Sequence, residues 1–153
     1  MRKIKSLGLV TLGLALSLGV VACGSKNVEG TTTELMEKVY ADVPADELPM
    51  MLNNTELTTD NIEYFLGTTF KFSEGTASEP MIGSIAHSIV LVRVADGEDV
   101  NAVVTAIKEN INPRKWICVE AEKVEVTNRG NLVLMAMSST TIVDTVVKSF
   151  KAL

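Results

Sequence analysis

The chain has 153 residues and a formal net charge of −5, from 14 lysines and arginines against 19 aspartates and glutamates. An acidic chain is poorly suited to neutralise nucleic acid phosphates or to lie on anionic lipid, so we expect no nucleic acid partner. The length suits a single domain.

The beginning of the chain has the pattern of a secretory signal. Three basic residues precede Leu7–Ala22, a run of sixteen residues without a charge, and the small residue Ala22 stands directly before Cys23. A transmembrane helix is one alternative, but a membrane span needs about 20 apolar residues, and this run is shorter and contains three glycines. A plain signal peptide with a coincidental cysteine is the other alternative.

The Val20-Val21-Ala22-Cys23 junction resembles the lipobox of bacterial lipoproteins. In that family the signal is cleaved before the cysteine, which carries diacylglycerol and becomes the first residue of the mature protein. The resemblance implies lipid attachment at Cys23 and a location on the extracytoplasmic side of the cell membrane. Cleavage would remove three basic residues and no acid, which changes the net charge from −5 to −8. The acyl chains would then provide the anchoring.

The polar residues that follow Cys23 predict a tether to one folded domain. The chain therefore divides into a signal peptide at 1–22, a lipidated tether at 23–32 and a single α+β domain at 33–153. Thr31 and Glu34 have capping-box spacing ahead of an amphipathic helix. Residues 42–54 are predicted to be irregular, and a short helix ends at Gly67.

The remaining elements predict an antiparallel sheet. In the clearest strand, 85–95, Val90 and Val92 lie on one face, and Ile89 and Leu91 lie on the other. The predicted strands are 68–73, 85–95, 116–127 and 132–137, the helices are 100–111 and 142–150, residues 74–80 are a loop, and residues 128–131 are a hairpin turn. This order predicts a circularly permuted ferredoxin-like sheet of about four strands, with both helices on one face and an N-terminal helix before it.

Four segments also resemble a family of uncharacterised lipoproteins from clostridia-like Gram-positive bacteria that share a domain of unknown function. They are the lipobox, Glu47-Leu48-Pro49-Met50, the Ile89–Val94 strand with Asp96-Gly97, and Arg129-Gly130-Asn131-Leu132-Val133-Leu134. The resemblance supports the location and the fold. It implies no activity, cofactor or catalytic residue.

Few residues suggest chemistry. His87 is the only histidine, and alternation sends the neighbouring Ser88 to the opposite face, so we interpret it as a surface or partly packed residue. Residues 96–99 resemble the start of a calcium loop but lack its regular ligand spacing and its distal glutamate, and a turn followed by a helix N-terminus explains all four residues. Glu120 and Glu122 share one strand face, which predicts either a solvated surface or a binding edge for a cation. No phosphate loop and no metal cluster are found, so we predict no cofactor.

The single cysteine of the domain, Cys118, has no partner within the mature chain. We predict that it is buried as a small apolar residue. The alternative is a disulfide to another chain.

One sheet face is a candidate interaction surface. If two helices cover one face, the other would expose Ile89 and Leu91 together with either Met135 and Met137 or the alternate residues Leu132, Leu134 and Ala136. The alternative is that the N-terminal helix covers this face.

The sequence therefore favours a non-enzymatic envelope lipoprotein that binds a partner protein, a wall component or a small solute. One alternative is a carboxylate-dependent hydrolase that uses Glu120 and Glu122. The other is a purely structural lipoprotein.

Overall fold

The computed structural model describes residues 27–153. The predicted signal peptide, Cys23 and the first part of the tether lie outside the described residues. The elements are α1 (Thr32–Tyr40), β1 (Leu52–Glu56), α2 (Ile62–Leu66), β2 (Phe72–Pro80), β3 (Ser88–Val94), α3 (Val100–Asn110), β4 (Lys123–Arg129), β5 (Leu132–Ser138) and α4 (Thr140–Ala152).

The strands form one five-stranded sheet in the order β1-β2-β3-β5-β4, with every neighbouring pair antiparallel. The predicted α+β class with an antiparallel sheet is confirmed. The order of β2 to β5 also agrees with the predicted permuted sheet, in which the strand before β3 pairs with it and β5 lies between β3 and β4.

The two strands nearest the N-terminus differ from the prediction. Residues 42–54 were predicted to be irregular, but the last three of them begin β1. The sequence Leu-Asn-Asn-Thr-Glu has low strand propensity, and pairing with β2 holds it as an edge strand. β2 overlaps the predicted strand 68–73 only at its first two residues and otherwise occupies the predicted loop 74–80, in which Gly75 weakens the strand pattern. The glycine is required there by packing, because a Cβ atom at Gly75 would lie 2.5 Å from Cδ1 of Leu57.

Helices cover both faces of the sheet. Val90 and Val92 of β3 pack in one apolar cluster with Val103 and Ile107 of α3 and with α2. The opposite face packs in a second cluster with α1 and α4, including Phe150. The prediction that α3 and α4 share one face is therefore wrong. Both faces of the central strands are apolar, and each must be covered.

The predicted open sheet face is also wrong. Ile89, Leu91, Met135 and Met137 are all 0% exposed. Leu91 pairs with Leu134 in the β3–β5 register, so the two methionines point to the opposite face from Ile89 and Leu91. The alternative is confirmed, because α1 covers the Ile89 face with its buried residues Leu35, Met36 and Val39.

The predicted helix ends are confirmed. Thr31 is the N-cap of α1 in a capping box with Glu34, and Gly67 ends α2 with a φ of 70°. The Asp99 side chain accepts hydrogen bonds from the N–H groups of Asn101 and Ala102 at the start of α3. The acid-rich segment 96–99 thus serves as a turn and a helix cap.

Replacing Ile107 with Asp should place an unpaired charge in the core beneath α3. We expect a loss of about 3 kcal/mol or more in the free energy of unfolding, measured with urea. Ala102→Asp changes an exposed residue of the same helix and should stay within about 0.5 kcal/mol of wild type. An unchanged urea midpoint for Ile107→Asp would contradict the packing of α3.

Candidate functional site

The two ends of the sheet have different surfaces. We call the end where β3 finishes, beside the β4–β5 hairpin, the tether end. There Arg93 donates hydrogen bonds to the backbone oxygens of Val28 at 3.0 Å and Gly30 at 2.7 Å. The N–H of Asn131 donates to the side chain of Asn27 at 3.3 Å. The described part of the predicted tether therefore lies against the domain.

The opposite end, where β3 begins, carries an exposed apolar cluster. We call this the distal end and define the distal patch as Met50, Met51, Tyr64, Met81, Ile82 and Ile117, which are 78%, 59%, 60%, 71%, 41% and 72% exposed. Two backbone bonds join its segments, from the N–H of Met81 to Met51 and from the N–H of Ile117 to Gly83. A cluster of exposed apolar side chains at one place is typical of an interaction surface.

Backbone strain accompanies the patch. Among residues 27–153, the non-glycine residues with positive φ are Met51 and Cys118, both at 60°. A left-handed conformation costs a non-glycine residue about 1 kcal/mol or more. Such strain persists where neighbouring structure imposes it, and it is frequent at functional sites.

A buried ion pair holds the loop that carries Ile117. The ammonium of Lys115 contacts the carboxylate of Glu79 at 2.5 Å, and these side chains are 8% and 16% exposed. The same ammonium lies 4.6, 5.2 and 5.5 Å from the ring centroids of Tyr64, Phe65 and Trp116. Burial lowers the pKa of Lys115, and Glu79 opposes that shift. The pair fixes the 111–122 loop to α2 and β2.

A cleft of about 310 Å³ lies beside the patch and brings carboxylates together. Glu120 and Glu122, the predicted pair, line it together with Glu47, which the sequence did not single out. Glu122 accepts the N–H of Thr140 at 3.0 Å, and Glu120 pairs with Arg114 at 2.9 Å. The cleft suits a cationic group.

His87 is fully buried, so its interpretation as a surface or partly packed residue is wrong. Its Nε2 atom lies 2.8 Å from the hydroxyl of Tyr40, and its Nδ1 atom lies 2.9 Å from the hydroxyl of Ser138. Burial lowers the pKa of His87 to about 4. The partners come from α1 and β5, which local sequence reasoning about Ser88 could not find.

The Ser138–His87 pair resembles a nucleophile and its base, but its surroundings favour a structural role. Ser138 is only 3% exposed. The nearby N–H of Thr140, a donor that could stabilise an oxyanion, already binds the carboxylate of Glu122. The pair therefore connects α1 to β5 beneath the carboxylate cleft.

Cys118 is exposed, and the prediction that it is buried is wrong. It follows Ile117 in the loop that Lys115 fixes, and its positive φ places it in an irregular turn rather than in the predicted strand. The rule that successive side chains of a strand point to opposite faces therefore does not apply to Cys118.

A comparison with protein-family models, with curated proteins and with solved structures found no match.

In residues 27–153, no helix is long and apolar enough to cross a membrane. The same residues contain no group of three or more acidic, histidine or cysteine side chains that could hold a metal ion.

The pKa of His87 predicts a pH dependence of stability. Since the folded-state pKa of about 4 lies below the ordinary 6.5, the unfolded state binds the proton more readily. The contribution of neutral His87 to the free energy of unfolding is complete above pH 6.5. It is lost as the pH falls toward 4, and the loss is on the order of 3 kcal/mol. His87→Gln removes this titration but not that of the carboxylates. The free energy of unfolding, measured with urea at several pH values, should fall less steeply toward acid pH for the variant than for wild type. Parallel curves for the two proteins would contradict the burial of His87.

The exposure of Cys118 predicts rapid reaction with a thiol reagent in the folded state. In a Cys23→Ser variant, which leaves one thiol, native and urea-unfolded protein should label at rates within about tenfold. Mass spectrometry gives the labelled fraction over time. Labelling that requires unfolding would show that the thiol is protected.

Proposed function

We propose that the protein is a lipid-anchored, extracytoplasmic and non-enzymatic binding module that engages its partner with the distal end. The observation that carries the proposal is the placement of the N-terminal segment and the distal patch at opposite ends of the sheet. The lipobox-like junction at Cys23 supports the anchor.

Chain length supports this orientation. Four peptide bonds separate Cys23 from Asn27, and this length of chain can span at most about 14 Å. The seven residues of β3 cover roughly 20 Å between the two ends of the sheet. A lipid on Cys23 would keep the tether end at the membrane, and the distal patch would face away from it.

The chemistry of the distal end favours a macromolecular partner. The patch offers exposed methionine side chains, which adapt to different apolar surfaces. The neighbouring cleft is lined by Glu47, Glu120 and Glu122, of which Glu120 pairs with Arg114 and Glu122 accepts the N–H of Thr140. Together they suit a protein surface that combines apolar and basic groups. A wall component or a small solute with a cationic group would use only the cleft and not the patch.

A carboxylate-dependent hydrolase is the second candidate, because Glu120 and Glu122 share one cleft. Glu122 accepts the N–H of Thr140 in the first turn of α4 and Glu120 pairs with Arg114, so both carboxylates already have structural partners. The binding module therefore remains the better-supported function.

The anchor is tested in cells. Cys23→Ala should move the protein from the membrane fraction to the medium or leave it unprocessed. Wild-type protein found in the medium with a free thiol at Cys23 would contradict lipidation.

The binding surface is tested with photo-crosslinking side chains at Met81 in the patch and at Lys148, an exposed residue of α4. We expect a discrete adduct from position 81, absent from position 148, that falls at least about fivefold with Ile117→Asp. Equal adducts at both positions would overturn the proposal. Turnover of a wall or peptide substrate that Glu120→Gln abolishes would replace it with the hydrolase.

A further inference from the structure

The sheet edge beside the distal patch is formed by β1, whose outer backbone groups face away from β2. The N–H of Leu57 donates to Gly75, and the N–H of Met81 donates to Met51. In an antiparallel pair the bonded positions alternate, so the register places the N–H and C=O groups of Leu52 and Asn54 on the outer side. The C=O of Glu56 also lies there and accepts a bond from Asn61. An added strand could use the four groups of Leu52 and Asn54.

This edge carries little of the protection that usually blocks strand addition. Proteins protect edge strands with proline, charged side chains such as lysine, a bulge or a very short strand. β1 is short, and its one charged residue, Glu56, stands at its end. β1 contains Leu, Asn, Asn, Thr and Glu, and its five residues pair with β2 without interruption. The bulge in this region lies between β2 and β3 instead.

The surroundings of β1 define the chemistry of an incoming segment. Residues 39–70 contain six acids and no lysine, arginine or histidine, and all six acids are exposed. A groove of about 410 Å³ is lined by residues of β1, of β2 and of the start of α1, namely Asn54, Glu56, Glu74, Gly75, Thr76, Thr31, Thr32 and Thr33. Met50 and Met51 of the distal patch lie directly before β1.

We propose that β1 receives an extended segment of a partner protein as a sixth strand, with lysine or arginine side chains in the groove beside Glu56 and apolar side chains toward Met51. This inference rests on the proposed binding function and names the chemistry of its partner. A second copy of this chain fits poorly, because the same acidic region would face itself across the edge.

The test measures binding of labelled, capped peptides to the full-length protein in detergent by fluorescence anisotropy. The probe is (Lys-Val)4, and its controls are (Glu-Val)4 and (Lys-Val)4 with N-methyl groups on alternate residues. We expect (Lys-Val)4 to bind at least tenfold more tightly than either control. The acidic control tests charge, and the methylated control tests backbone hydrogen bonding.

A matched pair of variants tests the site. Asn54→Pro removes an outward N–H while leaving the bonds to β2, so it should weaken (Lys-Val)4 binding at least tenfold with an unchanged circular dichroism spectrum. Asn54→Ala keeps that N–H and should bind within about twofold of wild type. Glu56→Gln should weaken binding about threefold and reduce its salt dependence.

Four results would overturn the proposal: no binding of (Lys-Val)4, equal binding of the methylated peptide, no effect of Asn54→Pro, or self-association in sedimentation that Asn54→Pro abolishes. The proposal would also be overturned if the protein bound phosphatidylglycerol vesicles in preference to (Lys-Val)4 and Asn54→Pro abolished that vesicle binding. If crosslinking at Met81 persists while Asn54→Pro has no effect, strand addition fails and the proposed binding function stands.

Discussion

The central strands β3 and β5 are apolar on both faces, and most of the architecture follows from covering both. Val90 and Val92 require α2 and α3 on one face, whereas Ile89 and Leu91 require α1 and α4 on the other. Each helix can bury only one apolar stripe, so four helices divide between two layers. The interior is therefore fully used, and a binding surface has to come from the loops at the ends of the strands or from an edge of the sheet.

The loops at the distal end are held by polar and charged contacts that reach into the core. Lys115 fixes one loop through Glu79 and three aromatic rings. His87 links α1 to the end of β5 through Tyr40 and Ser138. Buried polar groups must find partners, and here those partners come from separate elements. The loop that carries Ile117 and the end of β5 are therefore each tied to other elements of the fold.

Local sequence signals predicted the features that depend on neighbours in the chain. The capping box at Thr31, the helix end at Gly67 and the two alternating faces of β3 could all be read from spacing. What failed depends on distant contacts. β1 is a strand only because β2 pairs with it, Gly75 makes room for Leu57, and no spacing could indicate which helix covers which face. Glu120 and Glu122 were identified, but Glu47 and the exposed methionines entered the site only through the fold.

The attachment of the N-terminal segment has a mechanical consequence. Arg93 belongs to β3, the middle strand of five, and holds Val28 and Gly30 while its Nε atom contacts Glu74 of β2 at 2.9 Å. A pull on the N-terminal segment is therefore transmitted through Asn27 to the β4–β5 hairpin and through Arg93 to the centre of the sheet, where two neighbouring strands share the load. An edge strand, which could be peeled away one hydrogen bond at a time, would not carry that force.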